Sequence, residues 1–281
     1  MNAPISAESL ASGKGHKDEN FPVASAIVAP KYRAQIMAFY RFARGADDVA
    51  DNAEASPADK LARLEAMNDT IIGLSDADPA SVALREVQRA HGIDRWHALD
   101  LLEAFTRDCT RNRYESWDDL IDYCRFSAMP VGRYVLDVHG ESRDLWPAND
   151  ALCAALQVIN HLQDCAKDYR AIDRVYLPQE LLRAHGGRTE DLGGDRATPG
   201  LRAAIVDAAE RTEALLHRSA AFSGNIKDKR LALEVAVIHA LAMNLVRRLK
   251  TRDPLSERVH HSKIEMLAIA TRAAFGRLLA R

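Results

Sequence analysis

No two cysteines in this 281-residue chain lie close enough in sequence to suggest a metal or redox site. Cys109, Cys124, Cys153 and Cys165 form no CxxC pair. A disulfide framework suits small secreted chains, so these thiols are expected to stay reduced and packed in helices, in a cytoplasmic protein. Net charge is also scarce, at -2, which excludes recruitment of a nucleic acid by bulk charge and leaves any important charge local. Long apolar runs are missing too. Leu231 to Val246 is interrupted by Glu234, His239 and Asn244, too short and too polar to span a bilayer. Residues 1–20, rich in Ser, Gly, Lys, Asp and Glu, lack the apolar segment of a secretory signal. There is no run of alternating strand pattern and no internal repeat.

What is present is apolar spacing of period 3.6. It predicts helices over about Lys31–Ala53, Ala58–Leu74, Ala80–His91, His97–Arg111, Asp118–His139, Asn149–Arg170, Leu201–Ser223, Lys229–Lys250 and His261–Leu279. Ser56-Pro57, Asp78-Pro79 and Thr198-Pro199 are start signals, while Gly73, Gly92 and Gly140 suit helix ends. His185 to Arg196 reads as a loop. The expected architecture is all-α, one helical domain over residues 20–281 behind a flexible leader, residues 1–19.

Two of these helices carry acidic stripes. On the first, Tyr40, Arg44, Asp47, Asp48 and Asp51 share one arc, while Phe39, Phe42, Ala46 and Val49 face another way. On the second, Gln157, Asn160, Asp164 and Asp168 are spaced i, i+3, i+7, i+11 and form a single stripe. Asp47/Asp51 and Asp164/Asp168 are like-charge pairs at i, i+4, each costing a helix about 0.2–0.5 kcal/mol. A cation between the carboxylates turns that repulsion into binding. Magnesium takes one or two carboxylates per site and completes its shell with water and phosphate oxygens. A solvated acidic face is the bland alternative for either stripe alone. Two stripes, both bordering apolar faces and both carrying amide, Arg or Tyr neighbours, favour the functional reading.

The stretch AFYRFARGADDVAD (38–51) resembles the first aspartate motif of the squalene and phytoene synthase family, and LQVINHLQDCAKDYRAIDRVYLP (156–178) resembles the second. YCRFSAMPVG (123–132) resembles the family's central helix, and RDPLSERVHHSK (252–263) its C-terminal basic segment. The resemblance implies an isoprenoid-synthase helical bundle around a central cavity, with Mg2+ and a long-chain isoprenoid diphosphate substrate. By match, Asp47, Asp51, Asp164 and Asp168 would be the catalytic carboxylates and, with Asn160, the metal ligands. Tyr40, Arg44, Asp48, Tyr123, Phe126, Gln157, Arg174 and Tyr176 would bind substrate, and Arg258 and Lys263 match basic positions that could meet the diphosphate.

Departures sharpen the resemblance. Phe126 stands where squalene synthases usually have a tyrosine with a role in the first, cyclopropane-forming half-reaction. In ENFPVAS (19–25) Glu19 replaces a lysine of a Ser-Lys-Ser type diphosphate contact, and Asp253 replaces a tyrosine found in some relatives. NFPVAS, SAMPVG and NHLQD together look like the hydroxysqualene synthase branch of bacterial hopanoid synthesis. That branch ionises presqualene diphosphate and lets water capture the rearranged cation, with no need for NADPH; no GxGxxG follows a strand here. Phe39, Phe42, Tyr123, Phe126 and Tyr134 are candidate cavity walls, with plain core packing as the alternative for each. His161 and the pair His260-His261 suit packing or a helix start better than metal ligation. Two rivals stay open: a head-to-head condensing synthase making presqualene diphosphate, squalene or phytoene, and a catalytically inactive assembly factor of the same fold. The amphipathic last helix leaves room for peripheral contact with the inner face of a membrane, and the pathway setting for contact with other pathway enzymes.

Overall fold

The computed structural model of the protein describes residues 29–52 and 54–279, with side chains to residue 276; the expected leader and the ENFPVAS stretch lie outside them. The described residues form helices α1 (Pro30–Ala50), α2 (Pro57–Ile72), α3 (Pro79–His91), α4 (Trp96–Asp108), α5 (Trp117–Ser127), α6 (Met129–His139), α7 (Trp146–Ile172), α8 (Gln179–Ala184), α9 (Pro199–Arg218), α10 (Phe222–Asn225), α11 (Lys229–Thr251) and α12 (Lys263–Leu279). By their contacts they make two compact units that part between Arg111 and Asn112, a division that the even composition does not signal. In the first unit α1 packs on α2, α3 and α4. In the second, α7 packs on α5, α6, α9 and α11, and α11 on α9 and α12.

The expected punctuation sets the helix ends. Ser56, Asp78 and Thr198 accept hydrogen bonds from the backbone N–H groups of Asp59, Ser81 and Leu201, each ahead of a proline. Such a cap satisfies an orphan donor and is worth about 1 kcal/mol. Gly73, Gly92 and Gly140 close α2, α3 and α6 with positive φ, which a side chain would resist.

The helix expected over 118–139 is two helices. Ala128, at φ -130° and ψ -45°, separates α5 from α6. Pro130 has no N–H to offer the carbonyl of Phe126, and its ring would collide with that carbonyl in a continuous helix. The helix expected over 201–223 likewise ends at Arg218, with the short α10 after it. The stretch 185–196 is a loop holding one short 3-10 turn, Thr189–Gly193.

The apolar arcs are buried as the spacing implies. Phe39, Phe42, Ala46 and Val49 seat α1, and Val158, Ile159, Leu162 and Cys165 seat α7. Full burial of a side chain of this size contributes about 2 kcal/mol. Cys124 and Cys165 are buried, Cys109 and Cys153 half-buried, and none is in a disulfide. Gly132 is where α6 meets α7: a Cβ there would lie 2.1 Å from Asn149 Oδ1 and 2.6 Å from Cys153 Sγ. The glycine of SAMPVG is therefore a packing residue for the helix that carries the second acidic stripe.

Candidate active site

In the first unit, the polar arc of α1 holds its own cation. Arg44 donates from Nη1 to Asp47 Oδ2 at 3.0 Å and reaches Asp48 Oδ1 from Nη2 at 2.7 Å. One guanidinium thus spans two neighbouring carboxylates. Asp51 stays exposed, one turn beyond Asp47. Lost hydration, then the Asp51 charge, push the Asp47 carboxyl up to about 7, against the lowering pull of Arg44; Asp48 and Asp108 add to the rise. Because 39% of the Asp47 side chain remains accessible, solvent screens part of this effect. The direction is what matters: with Asp51 one turn away, a further positive charge beside Asp47 would favour its ionised form.

In the second unit, the α7 stripe is arranged differently. Among the described residues Asp164 pairs with Lys167, at 3.9 Å, with both side chains open to solvent. Gln157, Asn160 and Asp168 are half-buried along the same line. The helix ends at Asp173, which takes a left-handed conformation with φ 51°, uncommon for a residue with a side chain. Arg113 donates to the Asp173 backbone carbonyl and carboxylate, and Val175 N–H donates to Asn112 O at 2.9 Å. This clamp folds Arg174-Val175-Tyr176 back against α7.

The result is a closed aromatic cluster. The His161 ring stacks on Tyr176 with centroids 3.4 Å apart and planes 14° from parallel. Tyr123 and Tyr114 pack around Tyr176, each at 5.5 Å. Arg174 Nη1 donates to the Tyr176 hydroxyl at 3.5 Å, and the Tyr123 hydroxyl lies 3.5 Å from it. Burial, and then the Arg174 charge, push the His161 imidazole down to about 3, so it is neutral at physiological pH. Its Nε2 is sealed and has no hydrogen-bond partner among the described residues. His161 is a packing residue, as its position off the Asn160 line suggests, but it packs against a candidate substrate contact. Tyr114 escapes sequence reasoning altogether: it sits between helices, where periodicity says nothing.

The other candidates divide between site-bearing elements and core. Tyr40 and Phe126 are half-buried, and the Arg125 guanidinium lies 5.7 Å from the Phe126 ring centroid. Phe39, Phe42 and Tyr134 are buried, and burial pushes the Tyr134 phenol up. Asp253 ties a loop together: it accepts from the N–H groups of Ala197 and Leu255 and from the Ser256 hydroxyl. Burial would raise its carboxyl, yet these bonds hold it below the usual range. His261 bonds Asn244 at 2.9 Å and is buried, and Arg258 donates to the His261 carbonyl.

Hard oxygen donors at i, i+4 on α1 and on α7 fit a magnesium ion. Among the described residues no three His, Cys, Asp or Glu side chains gather as a ready-made metal site. An ion held here would complete its shell with other oxygens, which is magnesium's habit with phosphate substrates.

Comparisons with known proteins bear on this site. The family model described as squalene/phytoene synthase matches residues 14–265. A relative described as hydroxysqualene synthase, from Zymomonas mobilis subsp. mobilis, is 59% identical over 276 residues, covering 98% of this chain and 93% of the relative. A second with that description, from Rhodopseudomonas palustris, is 51% identical over 271 residues, covering 96% and 91%. The crystal structure described as squalene synthase HpnC from Alicyclobacillus acidocaldarius superposes with TM-score 0.73 at 31% identity, covering 87% of this chain and 91% of that one.

Proposed function

Because the chain belongs to the squalene/phytoene synthase family, we propose that it is a magnesium-dependent hydroxysqualene synthase. The reaction is ionisation of presqualene diphosphate, rearrangement of the cyclopropylcarbinyl cation, and capture by water to give hydroxysqualene and diphosphate. The observation that carries this reading is identity of 59% and 51% to hydroxysqualene synthases over nearly the whole chain. It is supported by two intact aspartate ladders, on α1 and on α7.

Asp47 and Asp51 on α1, and Asn160, Asp164 and Asp168 on α7, would hold magnesium. When bound there, the metal would supply positive charge to offset that of the leaving diphosphate. Arg44, spread over Asp47 and Asp48, orients those carboxylates and adds positive charge beside them. Gln157, Arg174 and Tyr176 would bind the diphosphate or border the opening, and Tyr40 would be a further substrate contact. The faces of Tyr123 and Phe126 would line the path of the cation, which an aromatic quadrupole stabilises. Phe126 has no hydroxyl to accept a proton, so the cyclopropane-forming step loses a group that condensing relatives use. Water capture leaves no hydride to deliver, and NADPH has no role.

One observation favours a second reading. A relative of solved structure is described as a squalene synthase, so a condensing activity is the rival, at lower identity than the hydroxysqualene synthases show. An inactive assembly factor has no reason to keep both like-charge pairs, whose repulsion serves nothing without a cation. Incubation of the purified chain with presqualene diphosphate and Mg2+, without NADPH, should give hydroxysqualene by gas chromatography and mass spectrometry. Efficient condensation of farnesyl diphosphate, or products that require NADPH, would give the assignment to the rival.

A further inference from the structure

The last helix is apolar on the wrong side for a simple core helix. Ile264, Leu267 and Phe275 on α12 are 82%, 69% and 64% exposed. At about 100° per residue these three, with exposed Ala268 and Thr271, form one outward stripe. No acidic residue lies on it; Glu265 faces aside, where Arg248 and Ser262 hold it. The opposite side, which includes Ile269 and Ala273, faces α11 across a groove of about 310 Å³.

Cations flank the stripe. Lys263 lies to one side of it and Arg272 to the other, and Arg247 stands across the groove from Arg272. All three are exposed, and none has an ion pair among the described residues. Nearby cations are already committed: Arg248 to Glu265 and Lys250 to Glu213. Residues 247–281 hold nine Lys and Arg against three Asp and Glu, in a chain whose net charge is -2. Three exposed cations without an ion pair among the described residues, Lys263, Arg272 and Arg247, therefore lie near one exposed apolar face.

We propose that the outward face of α12 docks on the surface of an anionic phospholipid membrane. Ile264, Leu267 and Phe275 enter the boundary between headgroups and acyl chains, while Lys263, Arg272 and Arg247 meet the phosphates. Exposed apolar side chains with unpaired flanking cations are what an interfacial helix presents. No described helix is long and apolar enough to cross a membrane, so the helix lies on the bilayer and does not span it. A second copy of the chain would cover the apolar stripe but would bring the same cations to face one another. An anionic surface satisfies both features. The inference does not depend on which prenyl diphosphate the enzyme accepts.

Flotation of the full chain with vesicles tests it. Wild type should partition at least about tenfold better onto phosphatidylcholine vesicles containing about 30% phosphatidylglycerol than onto pure phosphatidylcholine. Ile264→Ser/Leu267→Ser/Phe275→Ser should lower binding to the anionic vesicles by about tenfold or more. Lys263→Gln/Arg272→Gln should lower it severalfold, on anionic vesicles only. All these positions are exposed, so circular dichroism and Tm should match wild type. Equal binding by the triple serine variant would overturn the proposal. So would a wild type that ignores anionic vesicles, whether it sediments as a dimer that the triple variant dissolves or stays a monomer with the stripe covered by its own residues 1–28.

Discussion

Helices α1 and α7 carry the same carboxylate spacing and handle its repulsion in different ways. On α1 a guanidinium from the same helix spans Asp47 and Asp48, and burial, then the Asp51 charge, still raise the Asp47 carboxyl. On α7 the nearest cation, Lys167, stands off at 3.9 Å, a separation at which an exposed pair contributes between nothing and about 1 kcal/mol. The Arg174 that follows α7 is occupied with Tyr176. On α1 the nearby guanidinium is in hydrogen-bond contact with Asp47, whereas on α7 the cation beside Asp164 is held at arm's length. If both stripes hold divalent metal, as proposed, they would differ in how much each costs when empty.

Removing a carboxylate from either stripe is the coarsest way to break the comparison. Asp47→Ala and Asp164→Ala should each cut turnover with Mg2+ by about a thousandfold, the loss of roughly 4 kcal/mol of transition-state stabilisation. Far-UV circular dichroism should stay nearly unchanged. If only one variant loses activity, the stripes are not equivalent parts of one site.

A smaller effect separates the seat of α7 from its chemistry. Gly132→Ala places a methyl group into Asn149 and Cys153 and should destabilise the protein by about 1–3 kcal/mol, a drop in Tm of a few degrees or more. The magnesium concentration needed for half-maximal activity should barely move. A large shift in that concentration would mean that α7 is displaced, not merely strained.

The smallest expected effect is a pH dependence that arises outside both stripes. Burial, and then the Arg248 charge, push His261 down to about 4 from the ordinary 6.5. Below about 6.5 the unfolded chain takes up a proton that the folded chain refuses, so stability falls as pH drops from about 6.5 toward 4 and is fully present above that window. Tm measured by differential scanning fluorimetry should decline over that range, and His261→Asn should flatten the decline. Equal slopes in variant and wild type would assign the acid sensitivity to other groups.

Much of this was readable in the residues. Helix starts at Ser56, Asp78 and Thr198 depend on local hydrogen bonds, and local chemistry is what sequence displays. The arcs of α1 and α7 depend on a 3.6-residue period and emerged with their apolar sides buried as expected. What stayed hidden depends on contacts distant in the chain. The left-handed Asp173 is held by Arg113, sixty residues away, and that turn brings Tyr176 onto His161. Glu141, buried, accepts the N–H groups of Lys227 and Asp228, a cap that no motif announces. The break at Ala128 was within reach, since Pro130 is in plain view, but apolar periodicity continues through it and masks the stop.

The most direct test of a metal-bridged diphosphate site needs no turnover. Tm can be followed with Mg2+ alone, with inorganic diphosphate alone, and with both together. At a hundredfold excess over Kd a ligand of the folded state adds about 2.7 kcal/mol, so wild type should gain several degrees when both are present and far less with either alone. Asp164→Ala should gain almost nothing. A wild type indifferent to the pair, or an Asp164→Ala variant that gains as much as wild type, would contradict the account.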